Sequence, residues 1–254
     1  MTGITPIEIT TLDRKDFLVR GSWEARAETP EQLAVRFLRM IDSLKQIDPI
    51  FSHWTCGWKN KETNFELIRD RYAEKIAADT SVDDWGEPLL INGYWFGAYT
   101  RDQPRGRNFS IRCHAGSAVD SVFPNDIVFE TSDFMQAVPD PDVVTYRIFR
   151  SALLAIADAW DPVELGAYSG MLIQMNPDSS HIFLKAWIQY LCPWLAQKIT
   201  PPTTALVERL PGGGLLMTAT TETFDVNNPK HMAVADDMAA AMAPLDRLPW
   251  PSRR

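Results

Sequence analysis

Apolar residues recur along the chain with two different periods, and the change of period separates helical from extended stretches. Residues 29–47, TPEQLAVRFLRMIDSLKQI, place Leu33, Phe37, Met40, Ile41, Leu44 and Ile47 on one stripe, the spacing of a helix lying on a core. Thr29 is placed to cap it, Pro30 suits the first helical position, and Gln32 completes a capping box. Asp48-Pro49 ends it, because a residue before proline is pushed out of the helical region. Residues 63–78 repeat the pattern through Phe65, Ile68, Tyr72 and Ile76, with Arg69, Arg71, Glu74 and Lys75 mostly outside. Asp140-Pro141 opens a third helix, which carries Val144, Ile148, Phe149, Leu153 and Ile156 inward and stops after Trp160 at Asp161-Pro162. A fourth begins near Asn228-Pro229, buries Met232, Ala235, Ala239 and Met242, and ends before Pro244.

Between 92 and 130 the period is two. NGYWFGAYT (92–100) and NFSIRCHA (108–115) read as strands joined by the polar turn TRDQPRGR, and DIVFET (126–131) as a third. HIFLKAWIQYL (181–191) is long and β-like, and TALVERL and LLMTATT alternate on either side of Gly212, Gly213 and Gly214. Helices come singly between groups of strands. That order predicts an α+β fold, a mainly antiparallel sheet with about four helices packed on it. The length fits one domain over 1–254, with 1–20 as an N-terminal extension and 244–254 as a loosely held Pro-rich tail.

Composition narrows the class. The chain is 45% hydrophobic and 23% charged, ordinary for a globular protein. No stretch approaches the ~18 apolar residues of a membrane span, and the first twenty residues lack a signal-peptide core. Three dispersed cysteines, Cys56, Cys113 and Cys192, argue against a disulfide framework. These features predict a cytoplasmic protein with reduced thiols. The net charge of −8, from 33 acidic and 25 basic residues, repels nucleic acid and anionic membranes and attracts a basic partner, though it also serves solubility alone.

The search for chemistry is negative. The glycine run lacks the Lys-Ser/Thr of a P-loop, Met217 fills the third glycine position of a dinucleotide fingerprint, and a strand pattern follows it, so it reads as a hairpin loop. His53 and Cys56 have the spacing of half a zinc site with no second half, and His181 and Cys192 are isolated. His231, Asp236 and Asp237 read as a solvated helix surface. His114 and Cys113 point to opposite faces of their strand, Ser169-Gly170 is no nucleophile elbow, and Asp161 beside Asp158 reads as part of a helix exit. No catalytic, cofactor-binding or metal-binding residues are assigned.

Four segments, in order, carry a family resemblance. They are GSWEARAETPEQLAVRFLRMIDSLKQIDPIFSHW (21–54), AIADAWDP (155–162), FLKAWIQYL (183–191) and GGGLLMTATTETFDVNNPKHMAVADDM (212–238). Together they resemble the immunity protein 52 family of bacterial polymorphic toxin systems, with the stretch around 60–130 matching only loosely and the residues before Gly21 departing from the pattern. The resemblance implies a cytoplasmic antidote that binds and neutralises a cognate toxin, often a restriction-endonuclease-fold nuclease delivered by type VI secretion. It supplies no catalytic residues and implies no cofactor.

An acidic inhibitor of a nuclease can mimic phosphate charge, and DTSVDDWGE (79–87) suits that role best. It sets Asp79, Asp83, Asp84 and Glu87 around Trp85 with no basic residue. The competing reading is a solvated loop with Trp85 tucked into the core. Two other functions compete with inhibition: a small hydrolase using Asp158/Asp161 or His114, and an adaptor subunit of a secretion apparatus.

Overall fold

The computed structural model describes residues 15–80, 82, 85, 87, 89–101, 103–119, 124–131, 138–175 and 184–248. Residues 1–14 of the expected extension, Asp83, Asp84, His181, the start of the 181–191 segment and residues 249–254 of the tail lie outside these. The strands are β1 (Phe17–Trp23), β2 (Trp54–Trp58), β3 (Lys61–Asn64), β4 (Tyr94–Thr100), β5 (Phe109–Ala115), β6 (Asn125–Thr131), β7 (Glu164–Ser169), β8 (Ile188–Leu191), β9 (Leu206–Arg209) and β10 (Leu215–Thr218). They form one antiparallel sheet in the order β3-β2-β4-β5-β6-β1-β7-β8-β10-β9. The α+β class and the antiparallel sheet are as expected.

The helix count is higher than expected. Six α-helices are present among the described residues: α1 (Pro30–Lys45), α2 (Tyr72–Ala78), α3 (Tyr146–Trp160), α4 (Gly170–Gln174), α5 (Pro193–Ala196) and α6 (Pro229–Met242). Helix α1 has both arms of its capping box, Gln32 N donating to Thr29 Oγ1 and Thr29 N to Gln32 Oε1. Residues 63–78 are not one helix: Phe65–Arg71 is a 3-10 helix capped by Asn64, and α2 follows. The spacing explains the split. Phe65 and Ile68 are one 3-10 turn apart, whereas Tyr72 and Ile76 are one α-turn apart. Helix α3 starts later than expected, at Tyr146 under a Thr145 cap. The short α4 and α5 carry too few residues to show a period.

Strand β1 sits in the middle of the sheet, between β6 and β7. Residues 17–20 of the expected extension therefore form part of the central strand. Gly21 permits the close pairing with β7, because a Cβ there would stand 2.2 Å from Glu164 O. One face of the sheet carries α1 and α3. Phe17 meets Phe149 edge-on at 6.0 Å and Trp23 stacks on Trp160 at 5.1 Å. Phe37, Phe65, Tyr72 and Phe96 continue this aromatic core toward β4, and Phe51, Phe109 and Phe129 fill it beneath β5 and β6. The other face differs along its width. Over β7, β8 and β10 it is as buried as the first. Over β4, β5 and β1 it leaves Trp95, Arg112 and Arg20 exposed.

The glycines that opened the phosphate question turn the β9–β10 hairpin. Gly213 adopts φ of 86°, and its N–H donates to Leu210 O at 2.8 Å. Tail residues Ala243–Arg247 form a 3-10 helix with Leu245 buried, so the chain is anchored beyond Pro244.

Candidate functional site

Burial disfavours the charged form of several core groups. Burial pushes the Cys113 thiol well up and raises Cys56 and Cys192, so none is a ready thiolate, and all three are free. Burial lifts Glu164 to about 7, opposed by a hydrogen bond from Gln189 and the charge of Arg20. Among the described residues no group of three His, Cys, Asp or Glu side chains could hold a metal ion.

The residues weighed for catalysis have structural partners. Asp158 pairs with Arg39 at 2.6 Å, and Asp161 caps α3 in the left-handed region at φ of 50°. Ser169 Oγ accepts from Leu172 N and caps α4. His231 corrects the expectation of a solvated helix surface. It is buried, packs at a tilt against Phe224 and accepts from Asp225 N at Nδ1, pinning the turn that leads into α6. Asp236 and Asp237, on the same helix, engage Lys185 and Thr204.

The segments that carry the family resemblance meet in a buttress. Glu28, 6% exposed at its side chain, binds Arg26 at 2.9 Å and Arg36 at 2.6 Å. The same two guanidinium groups reach Trp160 O and Ala159 O, the last carbonyls of α3. Those carbonyls have no partner within the helix and carry the negative end of its dipole, so paired arginines satisfy both needs. The 21–54 and 155–162 segments thus meet to hold the two main helices together.

A second region is open to solvent. Trp85 is 86% exposed, and Val82, Leu90 and Ile91 are each more than half exposed. Trp85 is therefore not tucked into the core. The stretch is tied down at both ends. Asp79 closes α2 and accepts from Lys75 Nζ at 2.6 Å, and Thr80 bridges to Tyr94. Lys75 is itself buried, so the charge of Asp79 is balanced locally. Glu87 is exposed on the same stretch.

Residues the sequence reading did not assign lie alongside. Ala118 N and Ser117 Oγ both donate to Ile91 O, at 3.2 and 3.3 Å. The ring nitrogens of His114 lie 2.6 Å from Asn92 O and 2.8 Å from Pro124 O, and Trp95 covers the ring at 4.4 Å. Trp95 and Val119 are exposed. Asp126, across the sheet from His114, has its carboxyl raised by burial. A groove of about 730 Å³ between the β2–β3 turn and α2 borders this region at Asp79. Its carboxylates Glu62, Glu74 and Asp79 are paired with Arg101, Arg71 and Lys75, so it offers an acid–base mechanism no uncommitted carboxylate.

The fold is α+β, and among the described residues the stretch around Trp85 exposes apolar side chains to solvent. The family model for immunity protein 52 matches residues 16–245, and the chain belongs to that family. A solved structure, the Pseudomonas aeruginosa T6SS protein PA0821, resembles it with a TM-score of 0.50 at 10% identity, over 89% of this chain and 72% of that one. At that identity the likeness concerns the fold. No curated protein matches the chain in sequence. No helix among the described residues is long and apolar enough to cross a membrane.

Proposed function

We propose that this protein is the antidote to a secreted toxin, which it neutralises by stoichiometric binding rather than by catalysis. The toxin class we infer is a restriction-endonuclease-fold nuclease, the kind that the family resemblance implies. Such an enzyme must present basic groups to phosphates, and a chain of net charge −8 is suited to meet them quickly. The contact segment is 79–87, with Asp79, Asp83, Asp84, Trp85 and Glu87. The observation that carries this reading is Trp85, 86% exposed in a stretch without a basic residue. A tryptophan left in water between folded elements is the residue type that anchors interfaces. The charge of Asp79 is already balanced by Lys75.

The test is co-expression with the toxin encoded beside this gene. The two chains are expected to co-purify as a stable complex, which needs roughly 1,200–2,000 Å² of buried surface, and growth is expected to be restored. Failure of both with every neighbouring toxin rules out the antidote reading.

A further inference from the structure

The groove of about 730 Å³ between the β2–β3 turn and α2 has cations to spare. Strand register puts them there. Trp58 pairs with Lys61 across the hairpin, so the two side chains stand on one face, which Trp58 shares with the buried Trp54 and Cys56. Glu62 alternates to the other face, where it accepts from Tyr99 Oη at 2.8 Å and pairs with Arg101. Lys59 and Asn60 make the turn with φ of 51° and 61°, the two left-handed residues that a type I′ turn requires. Asn tolerates that region, but Lys does so at a cost that glycine would not incur. What the strained position retains is an exposed ammonium, 4.7 Å from the centre of the Trp58 ring. Such a contact holds the charge in place without neutralising it.

The carboxylates along the groove are all taken. Glu74 binds Arg71 and Asp79 binds Lys75 within α2. Asp79 cannot turn to the hairpin without stranding Lys75, which is buried, and an unpaired buried ammonium is costly. Lys59 and Lys61 have no carboxylate partner among the described residues, so the lining as a whole keeps a positive excess. We propose that this groove receives an acidic segment of a partner protein, whose carboxylates pair with Lys59 and Lys61 beside the half-buried Trp58. Nucleic acid carries the same sign of charge, but a long polyanion meets the net charge of −8 of the whole chain. A single acidic loop meets only the field within about 8–10 Å, the screening length near physiological salt.

The proposal rests on the antidote reading and deepens it, with the toxin as the partner. Asp79 lies both on the groove and at the start of the contact segment proposed above, so the two sites adjoin. A toxin that sets basic groups on that segment and acidic ones over the groove can dock in one orientation only, because the reverse brings like charges together.

The test uses the full chain and the toxin encoded beside its gene. Lys59→Gly removes a cation and eases the turn, so the melting temperature is expected to hold or rise while toxin binding weakens. Reversing both charges, with Lys59→Glu and Lys61→Glu together, is expected to weaken binding by about tenfold or more at an unchanged melting temperature. Lys198→Glu, at an exposed site after α5, changes the net charge without touching the groove and is expected to leave binding unchanged. Wild-type affinity in the double variant, or an equal loss in Lys198→Glu and Lys61→Glu, overturns the groove and leaves the antidote reading standing. Absence of a wild-type complex with any neighbouring toxin overturns both. Retention of single-stranded DNA by the isolated chain, lost in the double variant, overturns the assignment of the occupant.

Discussion

Trp160 and Trp85 are the same residue type put to opposite uses. Trp160 is fully buried, stacked on Trp23, with its Nε1 3.3 Å from Met40 Sδ and its carbonyl capped by Arg26. Trp85 stands in solvent on a stretch that carries acids and no base. The first region holds the segments by which the family is recognised; the second lies in the part of the chain where the resemblance is loose. The lesson is that family identity here is written in the scaffold. Under the function proposed above, partner choice would belong to the exposed stretch the scaffold holds out.

That contrast can be broken in three places. The largest effect is expected for Trp160→Ala, which empties the joint between α1, α3 and β1 and should cost about 3–5 kcal/mol in urea unfolding. A loss below about 1 kcal/mol would mean that the stack with Trp23 is not what holds the helices together.

Next comes Glu164, on the strand paired with β1, whose buried carboxyl sits at about 7 against an ordinary 4.5. The folded state therefore holds a proton that the unfolded chain releases earlier. The stability is fully present below pH 4.5 and declines as pH rises to about 7, by about 3 kcal/mol in all. Glu164→Gln should remove that slope. A wild-type-minus-variant difference that stays flat across the window contradicts the burial argument.

The smallest stability effect is expected for Trp85→Ala, within about 0.5 kcal/mol because nothing is emptied. Its loss should appear in toxin affinity instead. A large drop in melting temperature with unchanged affinity would reverse the roles given to the two tryptophans.

Much of the scaffold was legible because its signals are local. The Thr29–Gln32 capping box, the α1 stripe and the Asn228 cap of α6 lie within a few residues of the elements they define. Strands β7 and β8 were harder to read. Both are buried on both faces, so neither alternates: β7 shows no period to detect, and β8 is only the end of a longer expected strand. Strands β2 and β3 are short, and β3 is exposed, which leaves no apolar period to detect. Of the candidate surface, the acidic segment and Trp85 could be picked out from composition. The joining of Val119 to Ile91 could not, because it depends on hydrogen bonds between distant loops. The one available hint was the absence of Lys and Arg from 113–146.

The place of β1 has a consequence for how the chain reaches this shape. Its partners are β6, ending at Thr131, and β7, ending at Ser169. A ribosome adding 5–20 residues per second makes the second of these on the order of ten seconds after the first strand emerges. Until then β1 lacks one of its two partner strands, and long-range pairing of this kind is intrinsically slow. The centre of the sheet is therefore completed only after β7 has been made. The strand made first is thus late to gain both of its neighbours.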